Sequence, residues 1–138
     1  MIPLSLKEIA EITGGRVHGL DDVSAAALVV DGPVVTDSRE SGPGGLYIAR
    51  VGEQLDGHQF VGAAAELGAV AAMTTREVPE LPCVVVPDIQ DGLATLARAV
   101  VDRHPDLTVI GVTGSSGKTS TKDLLAAVLA VAGPHCTT

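Results

Sequence analysis

The sequence has almost no aromatic residues: tryptophan is absent, and Tyr47 and Phe60 are its single tyrosine and phenylalanine. Proteins that bind single-stranded nucleic acid stack the bases on aromatic side chains, so this scarcity argues against such a platform. Basic residues are also few, with 9 Lys and Arg against 17 Asp and Glu and a formal net charge of −8. Because a nucleic-acid backbone normally meets a basic patch, we expect no nucleic-acid partner. A small anionic ligand is still compatible with this charge, since backbone amides bind phosphate locally.

Cysteine is scarce as well. Cys83 lies in an apolar run, which is typical of a small buried side chain, and Cys136 lies near the end of the sequence. Two cysteines so placed predict neither a metal cluster nor a disulfide framework. Residues 1–7 lack the basic and long apolar stretches of a signal peptide, and no stretch is apolar for long enough to span a bilayer. We therefore expect a soluble, cytoplasmic protein without a membrane span.

Alanine, valine and leucine are abundant, and 46% of the 138 residues are hydrophobic, which is enough for one domain and at most the start of another. Ser5 and Glu8 have the spacing of a capping box, which predicts a helix that ends at Gly14 and Gly15. The runs that favour strands are 16–18, 26–30, 34–37, 46–49, 69–73, 83–86 and 108–112. The runs that favour helices are 59–67, 89–103 and 118–131.

This alternation predicts an α/β fold in two parts. Residues 1–105 are expected to form a small mixed-sheet domain, and residues 106–138 a strand, a loop and a helix that begin a larger domain. Asp88 is expected to cap the helix at 89–103, and Pro105 to end it. The apolar stripe expected on that helix is Leu93, Leu96, Ala97 and Val100.

Residues 109–120 place a glycine- and serine-rich turn between an apolar strand and the start of a helix. Such a turn directs backbone amides inward beside the positive end of the helix, which suits the phosphates of a nucleoside triphosphate. Lys118 is predicted to be the catalytic group that reaches the β- and γ-phosphates, and Thr119 the hydroxyl that ligates Mg²⁺. The other predicted ATP-binding residues are Gly114, Ser115, Ser116, Gly117 and Ser120.

The match to the strict pattern G-x-x-x-x-G-K-[ST] is imperfect. The first glycine of that pattern would fall at Val112, and the additional glycine is instead Gly114. The alternative interpretation is a serine and glycine turn with a lysine that faces solvent. The combination of an apolar strand, two glycines, Lys-Thr-Ser and a helix favours the phosphate loop.

Residues 113–120, Thr-Gly-Ser-Ser-Gly-Lys-Thr-Ser, resemble the ATP loop of the Mur ligases, whose pattern is T-G-x-x-G-K-[ST]. The Ser-Ser form, followed by Thr121 and Lys122, is most similar to the MurF branch, the UDP-N-acetylmuramoyl-tripeptide–D-alanyl-D-alanine ligases. A second block, at 36–39, 43–49 and 52–58, resembles the N-terminal domain shared by MurE and MurF. The resemblance covers essentially the whole chain but only the first third or so of a family member.

The resemblance implies that residues 1–105 bind the UDP-MurNAc end of the substrate, and that residues 106–138 start the ATP-binding central domain. Arg39 can direct two N–H donors toward a phosphate, and the Ser38 hydroxyl and the amides near residues 53–55 could serve uracil. The predicted UDP-substrate-binding residues are Ser38, Arg39, Glu53, Gln54 and Leu55. The alternative is that Asp37 and Arg39 merely form a structural turn.

For the full-length protein, the resemblance implies an ATP-dependent ligase of peptidoglycan precursor biosynthesis with ATP and Mg²⁺ as cofactors. ATP would phosphorylate the terminal carboxylate of UDP-MurNAc-tripeptide, and the amine of D-Ala-D-Ala would attack the acyl phosphate. Groups that complete the Mg²⁺ site, the ATPase sheet and the C-terminal domain are expected beyond residue 138. We therefore expect this chain alone to be inactive, with residues 106–138 disordered or docked on a neighbouring chain.

Three alternatives stay open. A MurE-type ligase shares the N-terminal block, although its loop more often reads Thr-Asn where this chain has Ser-Ser. A P-loop kinase or another NTPase would place Gly-Lys-Thr near the N-terminus rather than after a domain of a hundred residues. A non-catalytic module that binds a nucleotide sugar is the third.

Overall fold

The computed structural model describes residues 2–53 and 55–131. Gln54, one of the predicted UDP-site residues, and Cys136 lie outside the described residues. The chain divides into two compact units, Met1–Pro105 and Asp106–Thr138. Within the described ranges, every helix is too short or too polar to cross a membrane.

The first unit is built on a mixed sheet. Its strands are Leu4–Ser5 (β1), Arg16–His18 (β2), Val29–Val30 (β3), Val34–Val35 (β4), Gly45–Ile48 (β5), Ala69–Thr74 (β6) and Cys83–Val85 (β7). The main sheet has the order β2-β7-β6-β5-β4, in which β4 to β7 are parallel and β2 is antiparallel to β7. β1 pairs with β3 apart from this sheet. The predicted α/β class with a mixed sheet is confirmed.

The helices of the first unit are Leu6–Thr13 (α1), Asp22–Ala27 (α2), Val61–Glu66 (α3) and Ile89–Asp102 (α4), and 3₁₀ turns lie at Ser38–Glu40 and Gly57–Phe60. Helix α1 has the predicted capping box. The Ser5 hydroxyl accepts the Glu8 N–H at 3.2 Å, and the Glu8 carboxylate accepts the Ser5 N–H at 2.9 Å. The helix ends at Gly14, whose φ of 65° is left-handed and suits glycine.

All four residues of strand β5 are buried. Since successive side chains of a strand point in opposite directions, both faces of β5 are covered. On one face, Leu46 and Ile48 belong to a core cluster that also contains Leu6, Ile9, Met73 and Leu96. On the other face, Tyr47 and Ala49 pack with Val61, Ala64 and Cys83. Helices α1 and α4 thus cover one side of the sheet and α3 covers the other. A strand held in this way gives the loop after it a fixed starting point.

The predicted strand at 26–30 is wrong over residues 26 and 27, which belong to α2. Asp21 caps this helix: its carboxylate accepts the Ser24 N–H at 2.7 Å. The alanines at 25–27 also favour a helix over a strand. The predicted strand at 34–37 ends at Val35, because Asp37 caps the 3₁₀ turn that follows.

The two predicted helices of the first unit also differ in detail. Residues 57–60 form a 3₁₀ turn, so α3 starts at Val61 and is shorter than the predicted 59–67. Asp88 caps α4 as predicted. The buried side of α4 is formed by Ile89, Gly92 and Leu96, whereas Ala97 is exposed. The predicted stripe is therefore wrong at that one position.

The second unit contains the helix Lys118–Leu129 (α5). Gly117 precedes it with a left-handed φ of 77°, which explains a glycine there. The predicted strand at 108–112 is not formed. Val109 and Ile110 are 69% and 54% exposed, and no described segment pairs with them. Because a strand exists only through hydrogen bonds to a partner strand, an apolar run without such a partner stays irregular.

Candidate functional site

A cavity of about 760 Å³ lies where β4 and β5 end. Residues 36–39 follow β4, residues 50–52 follow β5, and both segments line the cavity. Strands β4 and β5 are parallel neighbours, so their carboxyl ends meet at the same edge of the sheet. Ligands of parallel sheets bind at this edge, which makes the cavity the candidate site of the first unit.

Asp37 and Arg39 form an ion pair at the cavity. The Arg39 Nε donates to the two Asp37 carboxylate oxygens at 2.9 and 3.1 Å, and Nη2 donates to Oδ2 at 2.5 Å. The Arg39 guanidinium lowers the pKa of Asp37 to about 2, and the Arg39 N–H bond to the same carboxylate adds to this effect. Asp37 in turn raises the pKa of Arg39. The structural turn expected as an alternative is therefore present, and it lies at the cavity.

The predicted UDP-site residues are distributed unevenly. Ser38 is buried in the 3₁₀ turn and lines the cavity, as do Arg39 and Leu55. Glu53 is exposed, and it is not one of the described residues that line the cavity. The structure thus brings three of the four described candidates together.

The floor of the cavity is a short chain of hydrogen bonds. The buried Tyr47 hydroxyl donates to the Gly57 carbonyl at 2.9 Å, and the Gly57 N–H donates to the Arg50 carbonyl at 2.8 Å. Burial raises the pKa of Tyr47, and the carboxylates of Asp37 and Asp56 raise it further. Tyr47 therefore stays a neutral donor that holds Gly57 in place.

Val51, Gly52 and Leu55 form a second wall of the cavity, and Asp56 anchors the chain beside them. Asp56 Oδ2 accepts from Arg76 Nη2 at 2.6 Å, and Asp56 Oδ1 lies 2.6 Å from His58 Nδ1. The Thr75 N–H donates to His58 Nε2 at 3.0 Å. Because a backbone N–H can only donate, Nε2 accepts and the imidazole proton lies on Nδ1, directed at Asp56. Arg76, followed by His58, lowers the pKa of Asp56.

His58 is buried and does not line the cavity among the described residues. Its two ring nitrogens join Asp56 to Thr75, at the end of β6. This places His58 in a structural role.

The Asp37 pair predicts a dependence of stability on pH. The folded state keeps Asp37 ionised down to about pH 2, whereas the unfolded chain protonates it near the ordinary value of 3.8. Its contribution is therefore fully present above that value and is lost as the pH falls toward 2. We expect Asp37→Asn to flatten the fall of the unfolding free energy between about pH 5 and pH 2, measured by urea denaturation.

The matched control for this measurement is Glu11→Gln. Glu11 is exposed on α1, and its side chain has no hydrogen bond or ion pair with a described residue. An Asp37→Asn variant as acid-sensitive as the Glu11→Gln variant would contradict the assigned role of the pair.

A cavity of about 340 Å³ lies at the start of α5 in the second unit. Of the predicted ATP-binding residues, Lys118 and Thr119 line it, and Lys122 does so one turn later. The Lys118 Nζ donates to the Gly114 carbonyl at 2.5 Å, so the lysine bends back over the loop. Residues 115–117 and Ser120 belong to the same loop and first helical turn, but they do not line this cavity.

The side chains near the start of α5 determine which metal ion could bind there. The described residues contain no group of three or more His, Cys, Asp or Glu side chains that could hold a metal ion. The Thr119 hydroxyl is an oxygen donor of the kind that Mg²⁺ prefers, and Mg²⁺ often takes its other ligands from phosphates and water. The residues present thus fit a magnesium ion that is held together with a nucleotide.

Arg50 and Phe60 line the first cavity but are not among the predicted site residues. Arg50 comes two residues after the buried strand β5. Its place at the carboxyl end of a parallel strand is the sequence signal that could have identified it. Phe60 carries no comparable signal, because its exposure depends on how the 3₁₀ turn meets α3.

The sequence is similar to those of known proteins of one family. A sequence model described as Mur ligase family, catalytic domain, matches residues 33–115. The chain is 43% identical to the UDP-N-acetylmuramoyl-tripeptide–D-alanyl-D-alanine ligase of Mycobacterium tuberculosis (strain ATCC 25618 / H37Rv), over 96% of this chain and 30% of that protein. It is 39% identical to the UDP-N-acetylmuramoyl-L-alanyl-D-glutamate–2,6-diaminopimelate ligase of Chlorobaculum tepidum, over 93% of this chain and 28% of that protein.

Solved structures show the same similarity. MurF from Acinetobacter baumannii matches with a TM-score of 0.76 and 30% identity, covering 96% of this chain and 28% of that one. MurF ligase from Thermotoga maritima in complex with ADP matches with a TM-score of 0.56 and 33% identity, covering 81% and 25%. The chain thus spans about 30% of the length of the curated relatives it matches.

Proposed function

The chain belongs to the Mur ligase family, and on that premise we propose that it is the amino-terminal part of a UDP-N-acetylmuramoyl-tripeptide–D-alanyl-D-alanine ligase. The first unit would bind the UDP end of UDP-MurNAc-tripeptide, and the second unit would begin the ATP-binding central domain. The observation that carries this proposal is the cavity at the ends of β4 and β5, which gathers Ser38, Arg39 and Leu55. Its volume of about 760 Å³ is large enough for a nucleoside diphosphate.

Within the proposed UDP site, the contacts follow from the chemistry of the lining groups. The Ser38 hydroxyl and the loop amides near Leu55 would meet the polar edge of uracil. A guanidinium group of the cavity would meet the diphosphate, since arginine binds phosphate oxygens through paired N–H donors. The exposed apolar side chains of Val51, Leu55 and Phe60 would cover the faces of the base and the ribose.

The second unit would act on the nucleotide that drives the ligation. Lys118 would neutralise the charge of the moving phosphoryl group, and the backbone amides at the start of α5 would hold the phosphates. The Thr119 hydroxyl would be one oxygen ligand of Mg²⁺. When bound, ATP supplies the phosphoryl group that activates the substrate carboxylate toward the amine of D-Ala-D-Ala. Because the proposed reaction consumes ATP, we expect it to take place in the cytoplasm.

We assign ligation to a protein of full family length, because this chain spans about 30% of its relatives. The 138 residues alone are expected to bind the UDP-linked substrate without joining it to D-Ala-D-Ala. Phosphate release at an ordinary ligase rate by the purified 138-residue chain would contradict this assignment.

A second candidate is a ligase that adds diaminopimelate, as the Chlorobaculum tepidum relative is named to do. The two candidates share the proposed UDP site and differ in the incoming amine. Dependence of phosphate release on D-Ala-D-Ala or on diaminopimelate in the full-length protein separates them.

The first test is a calorimetric titration of this chain with UDP-MurNAc-tripeptide. We expect saturable binding that Arg39→Ala weakens by about tenfold, because the loss of Arg39 leaves the Asp37 carboxylate unpaired beside the diphosphate. Arg98→Ala is the matched control, since Arg98 is also an exposed arginine in an ion pair with an aspartate, Asp102, but lies on α4. Its titration should equal that of the unchanged chain.

Three results would count against the proposed site. The first is no binding by a folded sample, which would remove the proposed function of the first unit. The second is equal weakening by Arg39→Ala and Arg98→Ala, which would indicate a general charge effect. The third is full affinity in the Arg39→Ala variant, which would leave the 36–39 turn without a role in binding.

A further inference from the structure

Two arginines line the first cavity, and they differ in what neutralises them. The Arg39 guanidinium makes three hydrogen bonds to the Asp37 carboxylate, so the pair carries little net charge. The exposed Arg50 side chain has no hydrogen bond or ion pair with any described residue. The positive charge that the cavity can offer a ligand therefore resides mainly on Arg50.

The backbone of Arg50 is held firmly although its side chain has no partner. Its N–H donates to the Ile48 carbonyl at 3.0 Å, and its carbonyl accepts from Gly57 at 2.8 Å. Gly57 is fixed in turn by the Tyr47 hydroxyl. A cation on a rigid backbone loses less conformational freedom on binding than one on a mobile loop.

We propose that Arg50 is the cation that binds the phosphates of the ligand, and that Arg39 mainly keeps Asp37 paired and the 36–39 turn in shape. This inference rests on the proposed function, because it takes the ligand to be a uridine diphosphate compound. If a phosphate instead took Arg39 from Asp37, it would leave that carboxylate ionised beside the phosphate, and the two like charges would repel. Arg50 binds an anion without this cost.

The test compares ligands that differ only in phosphate content. Uridine, UMP and UDP are titrated calorimetrically into the unchanged chain and into Arg50→Ala, Arg50→Lys and Arg39→Ala. We expect Arg50→Ala to weaken UDP binding by about 10-fold to 100-fold while uridine binding changes by less than about twofold. Arg50→Lys should keep part of the UDP affinity, because lysine retains the charge without the paired donors.

Two further readouts separate a binding role from a structural one. The urea unfolding midpoint of Arg50→Ala should match that of the unchanged chain, because the exposed Arg50 side chain has no hydrogen bond or ion pair with a described residue. The decline of UDP affinity with added salt should be shallower in Arg50→Ala than in Arg39→Ala, since an exposed charge interaction is screened by ions.

The failures of the two proposals are distinguishable. If the unchanged chain binds none of the three ligands, the proposed function fails and the Arg50 assignment fails with it. If the unchanged chain binds UDP but Arg50→Ala binds it equally well, the Arg50 assignment alone is wrong. Equal losses for uridine and UDP in Arg50→Ala would also overturn it, because a phosphate contact cannot weaken a ligand without phosphate.

Discussion

We expect Gly57→Ala to destabilise the first unit by about 3 kcal/mol and to abolish binding of the UDP-linked ligand. A Cβ atom at Gly57 would lie 2.4 Å from the Arg50 carbonyl oxygen and 2.8 Å from the Arg50 nitrogen. Both are backbone atoms that follow the buried strand β5, so they cannot rotate away as a side chain could. Relief requires a shift of the chain that also breaks the Tyr47 bond to Gly57.

Gly62→Ala is the matched control, because it makes the same substitution five residues further on. The nearest atom to its new Cβ is in the flexible Glu80 side chain at 3.7 Å. Gly62 lies inside α3, where alanine is preferred to glycine, so we expect a gain of about 0.5–1 kcal/mol. Urea denaturation followed by circular dichroism measures both variants. Similar stabilities for the two variants would show that the backbone around Gly57 can shift to accommodate a Cβ atom at little cost.

In a full-length protein with the proposed ligase activity, we expect Lys118→Ala to lower kcat by about 100-fold to 1000-fold. Lys118 lines the cavity at the start of α5 and bends over the loop to the Gly114 carbonyl. In the proposed mechanism this charge would stabilise the transferring phosphoryl group more than the bound nucleotide, so kcat should fall more than KM rises. Steady-state phosphate release with saturating D-Ala-D-Ala measures the effect.

Lys122→Ala provides the comparison in the same cavity. Lys122 lies one helical turn later and pairs with Asp123 at 3.4 Å, so its charge is already partly balanced. We expect it to change kcat by less than about tenfold. If Lys122→Ala were as damaging as Lys118→Ala, the cavity would bind anions through general positive charge and the specific role of Lys118 would be wrong.

Local sequence signals, such as helix caps, predicted most of the helices and strands. The Ser5 capping box and the left-handed Gly14 fixed the bounds of α1 within a few residues of sequence. The strand prediction at 26–30 was wrong over residues 26 and 27, because the helix that Asp21 caps runs on to Ala27. The run at 108–112 failed for a different reason: its apolar pattern suits a strand, but pairing depends on a partner that the described residues do not supply.

The candidate site was predictable where its residues are contiguous and not where they are brought together by the fold. Ser38 and Arg39 adjoin in the sequence, and both line the cavity. The extent to which Asp37 neutralises the Arg39 guanidinium could not be read from the sequence, because it depends on the geometry of the two side chains. The hydrogen bond that His58 accepts likewise comes from Thr75, 17 residues away.

The outer strands of the main sheet, β2 and β4, bear on how the protein behaves when it is concentrated. An exposed strand edge invites another molecule to add a strand of its own, which is how many sheet proteins aggregate. Strand β4 is two residues long and follows Pro33, and β2 is three residues long and carries Arg16, which is paired with Glu77. Edges this short give an incoming chain few backbone groups to join, so the sheet is protected from growing between molecules.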